Sequence, residues 1–326
     1  MKKDVKVVFM GTPDYATIIL EKLLEKNYNI VALFTQPDKP VGRKQELTPP
    51  HIKKFVIENG LSIPIYQPLT LKESIIQKSI SDLNPDIIIV AAYGQILPKE
   101  VLNIAPCINL HASLLPKYRG ASPIQESLLN NDKFTGVTAM NMDVGLDSGD
   151  ILGFQYIKID KDTIVAELFD KLSDCAASLT VEILEKYETI LPMKQNLSMV
   201  SHCKKISKKD GLVVFDNASI FYNKYRAFKS WPDIYLESGL KIKECKLNEI
   251  SGSNKIGKIL TIENDFVIVG CELGSIKIIM VQPSSKKQMN VIDYIRGKRL
   301  EVGDDFSWFY WINTHFLKRI YTKKWL

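Results

Sequence analysis

Short apolar runs rich in β-branched residues alternate with helix-like segments along residues 1–188, and this alternation limits the possible folds. Residues 5–10 form one run, which ends at Gly11, and residues 29–34 form the next. Between them, apolar residues recur with the period of a helix that packs on a sheet. This order is that of a β-α-β unit. It predicts an α/β fold with a doubly wound, mostly parallel sheet of Rossmann-like type.

The same pattern continues through the first part of the chain. Further strands are predicted at 86–91, 107–110, 136–141 and 154–159, and a long amphipathic helix at 163–187. That helix closes a first domain over residues 1–188. Residues 189–205 carry no clear period, and we interpret them as a linker.

From residue 206 the pattern changes to short predicted strands at 213–215, 234–236, 256–262, 266–269 and 276–281, separated by Gly and Asn, with one helix at 218–228. This pattern favours a small β-barrel domain of the oligonucleotide-binding (OB) type over residues 206–303. Residues 304–326 form a basic, aromatic tail. A packed terminal helix or a contact with nucleic acid or a partner would both account for it.

Composition excludes several classes of protein. Hydrophobic residues make up 45% and charged residues 25% of the 326 residues, which is ordinary for a globular protein. No apolar run approaches the roughly 20 residues of a membrane span, and the amino-terminal run is too short for a signal peptide. The five cysteines form no CxxC pair, so free buried thiols are expected. We expect a cytoplasmic monomer with no membrane contact.

Charge is distributed unevenly between the two parts of the chain. Residues 201–326 carry 22 Lys and Arg against 13 Asp and Glu, whereas residues 1–200 carry 21 against 24. The excess of positive charge in residues 201–326 predicts that this part of the chain binds a phosphate-rich partner. A basic tail that only aids solubility is the alternative, but the last twelve residues carry only four of these positive charges.

Two segments of the first domain bear on ligand binding. Residues 11–14 read GTPD, which lacks the glycines of the dinucleotide fingerprint and argues against a nicotinamide cofactor. Residues 36–50 form a proline-rich segment predicted to be a long irregular loop at the ligand-binding edge of the sheet. Arg43 in this loop is a candidate contact for an anion or a backbone, although a solvated surface arginine explains it equally well.

Asn109, His111 and Asp147 are the candidate catalytic residues. Residues i and i+2 of a strand point to the same face, so Asn109 and His111 can converge, and Asp147 ends the loop of a different strand. An amide donor, an imidazole and a carboxylate that keeps the imidazole charged suit a tetrahedral intermediate. No Ser or Cys nucleophile is placed for a triad, and no standard metal-ligand spacing is present. Strand capping and an ordinary turn are the alternative explanation.

The motifs around these residues identify a family. NLHASLLPKYRGASPIQ at 109–125, followed by MDVGLDSGD at 142–150, resembles the signature of the folate-dependent formyltransferases. Supporting matches are FMGTPDYA, TQPDKPVGR, AAYGQILP and RAF..WP, which together span nearly the whole chain. The last of these lies in the second domain. The GTPD motif, the QPD loop with its GR pair and the second domain together make the chain most similar to the branch of the family that acts on tRNA.

The resemblance implies transfer of a formyl group from 10-formyltetrahydrofolate to initiator methionyl-tRNA. The family's catalytic Asn, His and Asp fall on Asn109, His111 and Asp147, and no metal is implied. The loop with Arg43 would close on the aminoacyl end of the tRNA, and the basic second domain would hold its backbone. The segment that would line the folate site consists of Ser113, Leu114, Leu115 and Pro116.

Two alternatives remain open at this stage. A formyltransferase that acts on a nucleotide-linked amino sugar shares the Asn-His-SLLP core, although the basic second half and the 36–50 loop favour tRNA. A nucleic-acid-binding protein with a vestigial first domain is the non-enzymatic alternative. The presence of Asn109, His111 and Asp147 together argues against it.

Overall fold

The structure, a computed structural model, describes residues 4–42 and 44–306. Contacts divide these residues into two compact units, one formed by residues 4–127 and 131–205 and the other by residues 128–130 and 206–306. Arg43 and all but the first three positions of the 304–326 tail lie outside the described residues. No helix in the described ranges is long and apolar enough to cross a membrane.

The first unit alternates strands and helices, as the apolar pattern predicts. The elements up to residue 205 are, in chain order, β1 (Lys6–Gly11), α1 (Asp14–Glu25), β2 (Asn29–Phe34), β3 (Lys39–Val41), β4 (Glu46–Thr48), α2 (His51–Glu58), β5 (Ile65–Tyr66), α3 (Ser74–Asp82), β6 (Ile87–Ala91), α4 (Lys99–Leu102), β7 (Cys107–His111), β8 (Arg119–Gly120), α5 (Pro123–Leu129), β9 (Phe134–Asn141), β10 (Ile151–Lys158), α6 (Val165–Lys186) and β11 (His202–Cys203).

Seven of these strands form one sheet in the order β10-β9-β7-β6-β1-β2-β5. The neighbouring strands β7, β6, β1, β2 and β5 are all paired in parallel. Residues 87–91 of β6 are all buried. Parallel strands buried on both faces read as continuous apolar runs, which is why the sequence reveals them. The register pairs Val90 with Asn109, so His111 ends β7 at the ligand-binding edge of the sheet.

The remaining two strands reverse direction. β9 runs antiparallel to β7, and β10 runs antiparallel to β9. Ile108 pairs with Asn141, so the carboxyl end of β9 lies beside the amino end of β7. The 142–150 loop that joins β9 to β10 must therefore run back along β7 to reach His111. Helix α6 packs on β9, β10 and α1 and closes this side of the sheet.

The segment 36–50 is more ordered than the predicted irregular loop. Its central part is a hairpin of β3 and β4, and Gly42 and Gln45 in the turn have positive φ angles. Every described residue of both strands is exposed. A hairpin without a buried face has no apolar alternation, so periodicity could not predict it.

The second unit is built around an antiparallel sheet. Its elements are α7 (Ala218–Phe228), β12 (Ile234–Tyr235), β13 (Lys241–Glu249), β14 (Ile259–Ile262), β15 (Val267–Gly270), β16 (Ser275–Gln282), β17 (Met289–Asn290) and α8 (Val291–Lys298). The strand order is β12-β13-β16-β15-β14, with β17 added to β16. Helix α7 packs on β12, β13 and β16. The predicted strand at 213–215 is wrong, because the backbone there makes only an isolated bridge at Leu212.

Asp233 links the turn after α7 to strand β13. Its side chain is only 8% exposed and accepts hydrogen bonds from Lys243 at 2.7 Å and Lys241 at 2.9 Å. Burial alone would raise the pKa of Asp233, but the hydrogen bonds from Lys243 and Lys241 lower it below its usual value. A buried carboxylate with two ammonium partners stabilises the fold only while it is ionised.

We predict that Asp233→Asn lowers the free energy of unfolding at neutral pH by about 1 to 3 kcal/mol, because two charge-assisted bonds are weakened. The depressed pKa makes this contribution complete above the ordinary aspartate pKa of about 4 and lost as the pH falls further. Urea unfolding at several pH values measures the difference between variant and wild type. The exposed neighbour Glu237 provides the control Glu237→Gln, and an unchanged stability for Asp233→Asn would refute the prediction.

Candidate active site

Strand β7 carries Asn109 and His111 on one face, as their spacing predicts. Asn109 is partly buried, and the imidazole of His111 is only 6% exposed. Asn109 pairs with Val90 on one side and Met140 on the other, so its backbone is fixed by two neighbouring strands. The strand thus provides a rigid support for an amide and an imidazole.

Asp147 reaches these two side chains from the 142–150 loop. The loop leaves the sheet and returns at the same place, where the Asn141 amide donates to the Asp150 carbonyl oxygen at 2.9 Å. A Cβ atom on Gly149 would overlap the Asn141 carbonyl oxygen, so this closure requires glycine. Asp147 itself has a φ of 48°, a left-handed conformation that Asp adopts more readily than most residues.

The Asp147 carboxylate lies between the amide and the imidazole. Oδ1 is 3.5 Å from Asn109 Nδ2, and Oδ2 is 3.7 Å from His111 Nδ1. The backbone amide of Gly120 donates to Oδ2 at 2.7 Å. The Gly120 bond is the short one, and the other two distances are longer than good hydrogen bonds.

The second ring nitrogen of His111 is bound to the backbone. Nε2 lies 2.9 Å from the Tyr118 carbonyl oxygen, which can only accept, so Nε2 carries a hydrogen. The Tyr118 amide donates to Ser201 Oγ at 3.0 Å, and its hydroxyl donates to Asp132 at 2.6 Å. Tyr118 is thereby held at three points, and Nδ1 is the ring nitrogen of His111 that faces Asp147.

A buried thiol lies beside this histidine. Cys203 Sγ donates to the same Tyr118 carbonyl oxygen and accepts from the Ser122 amide, both at 3.3 Å. Burial raises the pKa of the Cys203 thiol, so it stays protonated near neutral pH. A protonated, hydrogen-bonded thiol is not a nucleophile. Cys203 therefore supports the carbonyl that orients His111 and does not form a catalytic Cys-His pair.

The turn after β7 contains the residues that the resemblance assigns to the folate site. The Ser113 hydroxyl is buried and donates to the Lys117 carbonyl oxygen at 2.6 Å. Leu115 packs with Met140 and Ile151, and Pro116 is also buried. Leu114 is the one member of this four-residue segment that is partly exposed. The turn is next to His111, but Ser113 and Leu115 direct their side chains inward.

Arg43, the predicted substrate contact, lies outside the described residues. The base of its hairpin is described and well connected. Lys53 binds both carboxylate oxygens of Asp38 at 2.9 Å, and Gln67 donates to Asp38 at 2.7 Å. These hydrogen bonds from Gln67 and Lys53 lower the pKa of Asp38. The hairpin thus starts from a fixed ionic anchor.

Sequence reasoning missed Gln195, which lies in the segment interpreted as a linker. Its side-chain Nε2 donates to the carbonyl oxygens of Asp147 at 2.9 Å and Gly149 at 2.8 Å. Its Oε1 accepts from Arg119 Nη2 at 2.8 Å and Nε at 3.1 Å. Both side chains are buried. No periodicity marks Gln195, because its partners are 46 to 76 positions away in the chain.

The cluster has the groups needed to stabilise a tetrahedral oxyanion. Asn109 has two amide hydrogens, of which one faces Asp147, and His111 Nδ1 lies beside the same carboxylate. An amide hydrogen and a protonated Nδ1 are donors that favour a charged transition state over a neutral substrate. Among the described residues, no three His, Cys, Asp or Glu side chains lie close enough to hold a metal ion.

Similarity to known proteins places this geometry in a family. Residues 5–184 match the family model described as formyl transferase, and residues 205–299 match the formyl transferase C-terminal domain. The chain is 58% identical over 301 residues to the methionyl-tRNA formyltransferase of a Nitratiruptor species, covering 92% of this chain and 99% of that protein. It is 54% identical over 303 residues to the methionyl-tRNA formyltransferase of Sulfurimonas denitrificans, covering 93% and 100%.

Solved structures agree at the level of the fold. The N-formyltransferase from Helicobacter canadensis, in complex with folinic acid and dTDP-3-aminofucose, has a TM-score of 0.65. The match covers 84% of this chain and 99% of that one, at 18% sequence identity. An amide, an imidazole and a carboxylate arranged for a tetrahedral oxyanion fit the reaction that these similarities indicate, and the chain belongs to the formyl transferase family.

Proposed function

We propose that this protein transfers the formyl group of 10-formyltetrahydrofolate to the α-amino group of methionine on initiator tRNA. The observation that carries the proposal is the match to methionyl-tRNA formyltransferases at more than half identity over nearly their whole length. A sugar 3N-formyltransferase and an N-formyltransferase bound to dTDP-3-aminofucose resemble the chain at 18 to 21% identity, which speaks for the fold and not for the acceptor.

The proposed reaction exchanges one carbon-nitrogen bond for another. The methionyl amine attacks the formyl carbon, a new C–N bond forms, and the bond between that carbon and N10 of the folate breaks. The amine nitrogen loses a proton and N10 gains one, so the reaction needs no oxidant. The attacking group belongs to the substrate, which agrees with the absence of an activated Ser or Cys beside His111 among the described residues.

Asn109 and His111 are proposed to stabilise the formyl oxygen as it becomes negative. The side-chain amide of Asn109 and Nδ1 of His111 both lie beside the Asp147 carboxylate. Asp147 would offset the positive charge of an imidazolium, and the two groups would relay the proton between the amine and N10. Each aligned donor contributes about 3 to 4 kcal/mol in comparable sites.

The formyl donor is proposed to bind beside the turn of Ser113, Leu114, Leu115 and Pro116. The side chains of Ser113 and Leu115 point inward and hold the backbone of the turn in one conformation. A fixed turn supports the proposed role, because its backbone is then available at a constant position for the ligand. Leu114 is partly exposed at the turn, and Leu146 is exposed in the loop that carries Asp147. Apolar side chains of this kind suit the flat ring of a pterin, because ligand sites are mostly apolar with a few polar groups.

The acceptor tRNA is proposed to use the second domain, residues 206–303, and the hairpin that contains Arg43. The positive excess of residues 201–326 suits a phosphate backbone. In this scheme residues 1–188 are the catalytic domain and residues 189–205 the linker. All three proposed catalytic side chains come from one chain, so a monomer suffices. Charged initiator tRNA is used where translation begins, which favours the cytoplasm.

An acceptor assay tests the proposed function directly. The purified protein is incubated with 10-formyltetrahydrofolate and either initiator methionyl-tRNA, elongator methionyl-tRNA or a dTDP-linked amino sugar. We expect formylation of the initiator species at a rate at least about tenfold above that of the elongator. Mass spectrometry of the released aminoacyl group measures the product. Formylation of the sugar nucleotide without formylation of methionyl-tRNA would overturn the proposal.

Substitution of the cluster tests the assigned roles. Asn109→Ala, His111→Ala and Asp147→Ala should each lower kcat about a hundredfold or more, because each removes a group that acts in the transition state. Asp143→Ala is the matched control, since Asp143 is an exposed carboxylate of the same loop that accepts from the adjacent Val144 amide. Thermal unfolding is compared for all four variants. A cluster variant that retains the wild-type rate would remove its residue from the scheme.

Salt dependence tests the proposed tRNA contact. If the second domain binds phosphates, log affinity for tRNA should fall linearly with log salt. The exposed residues Lys208 and Lys209 are candidates for such contacts, and replacing both by Ala should reduce the slope by about one to two. Lys161→Ala, an exposed lysine of the first unit, is the control. An unchanged slope for the double variant would contradict phosphate binding at these two positions.

A further inference from the structure

We propose that Gln195 is a positioning residue for formyl transfer, holding the Asp147 loop in register with the backbone that orients His111. The inference rests on the proposed function for its kinetic readout, but its structural basis is independent of the acceptor. Gln195 lies in the segment between the two family matches, outside residues 5–184 and 205–299.

The Gln195 amide joins two segments that both contact the catalytic cluster. On one side its Nε2 donates to the carbonyl oxygens of Asp147 and Gly149. On the other its Oε1 accepts two hydrogen bonds from Arg119. Arg119 lies between Tyr118, whose carbonyl oxygen binds His111, and Gly120, whose amide binds the Asp147 carboxylate.

All the hydrogen-bonding capacity of the Gln195 side chain is used. An amide has two N–H donors and an oxygen that accepts two bonds, and each of these has a partner here. Satisfied buried polar groups of this kind specify a unique geometry, because a displaced partner leaves a donor or acceptor without a bond. Only a neutral amide donates to two carbonyls while it accepts from a guanidinium.

The loop that Gln195 holds needs external support. Asp147 has a left-handed φ of 48°, and its neighbours Val144 and Leu146 are largely exposed, so the loop is not fixed by apolar packing at these positions. The Asp147 carboxylate must nevertheless stay between Asn109 and His111. Displacement of a reacting group by about 1 Å can cost about a hundredfold in rate. Gln195 is thus placed to act on catalysis without contact with substrate.

Gln195→Glu separates the two halves of the contact. The new carboxylate still accepts from Arg119, now as an ion pair, but it has no hydrogen to donate to Asp147 and Gly149. Its second oxygen then faces two carbonyl oxygens and repels the loop. We expect kcat to fall at least about tenfold, with KM for donor and acceptor within about threefold. Asn196→Ala, in the exposed neighbouring residue, should stay within about twofold of wild type on both parameters.

A double-mutant cycle distinguishes positioning from general destabilisation. If Gln195 acts through Asp147, adding Gln195→Glu to Asp147→Ala should lower kcat by less than about twofold further. The proposal is overturned if Gln195→Glu lowers kcat about tenfold further in the Asp147→Ala variant, or if Gln195→Glu alone leaves kcat unchanged. Thermal unfolding is measured for each variant. If Gln195→Glu does not fold, Arg119→Lys replaces it in the cycle, because that substitution weakens the hydrogen bonds between Arg119 and Gln195. The proposal is then overturned if Arg119→Lys alone leaves kcat unchanged, or if it lowers kcat in the Asp147→Ala background as much as in wild type.

Hydrogen exchange keeps this test separate from the proposed function. In Gln195→Glu the amide of Gly120, which donates to Asp147, should exchange at least about tenfold faster than in wild type, and it should be unchanged in Asn196→Ala. If wild type fails to formylate methionyl-tRNA, the proposed acceptor is wrong, and exchange at Gly120 still decides the proposal on Gln195. Unchanged exchange at Gly120 would overturn it.

Discussion

The hydrogen bond from the Gly120 amide to the Asp147 carboxylate is the contact on which the geometry of the site depends. At 2.7 Å it is the short bond of the cluster, whereas the carboxylate lies 3.5 Å from Asn109 and 3.7 Å from His111. A backbone donor cannot change rotamer, so it fixes the carboxylate more firmly than a side chain would. Asp147 is therefore anchored through Oδ2 by the β8 backbone. The same oxygen lies toward His111, and Oδ1 faces Asn109.

This arrangement depends on a change of strand direction within one sheet. The parallel strands β1, β6 and β7 bring Asn109 and His111 to a supported position, as expected for the ligand edge of an open α/β sheet. The antiparallel pair β9 and β10 adds the loop that carries Asp147. Because β9 runs antiparallel to β7, the loop that follows β9 begins beside the amino end of β7. It must therefore return along β7 to complete the cluster at His111.

How much the sequence revealed depends on whether a feature is periodic. Buried parallel strands and the i, i+2 pair Asn109 and His111 follow from period-two geometry, and the structure has both. Strand β13 was missed because its register shifts between Ile242 and Cys245 interrupt the alternation of a half-buried strand. The position of Asp147 in the loop of a different strand indicated that it could reach His111, and the resemblance to a family then distinguished it from Asp143. Gln195 could not be found, since a buried amide that joins distant loops leaves no local pattern.

The environment of His111 also accounts for the type of chemistry that the chain can perform. The nearby thiol, Cys203, is buried, has a raised pKa and is used to support the Tyr118 carbonyl. An imidazole with one nitrogen committed to that carbonyl and the other beside a carboxylate can move a proton, and once protonated at Nδ1 it can donate to an oxyanion. The described thiol beside it is protonated and hydrogen-bonded, which agrees with a nucleophile that arrives with the acceptor. Catalysis in such a site consists of holding two substrates together, which makes the positions of loops, and the residues that fix them, as important as the three proposed catalytic side chains.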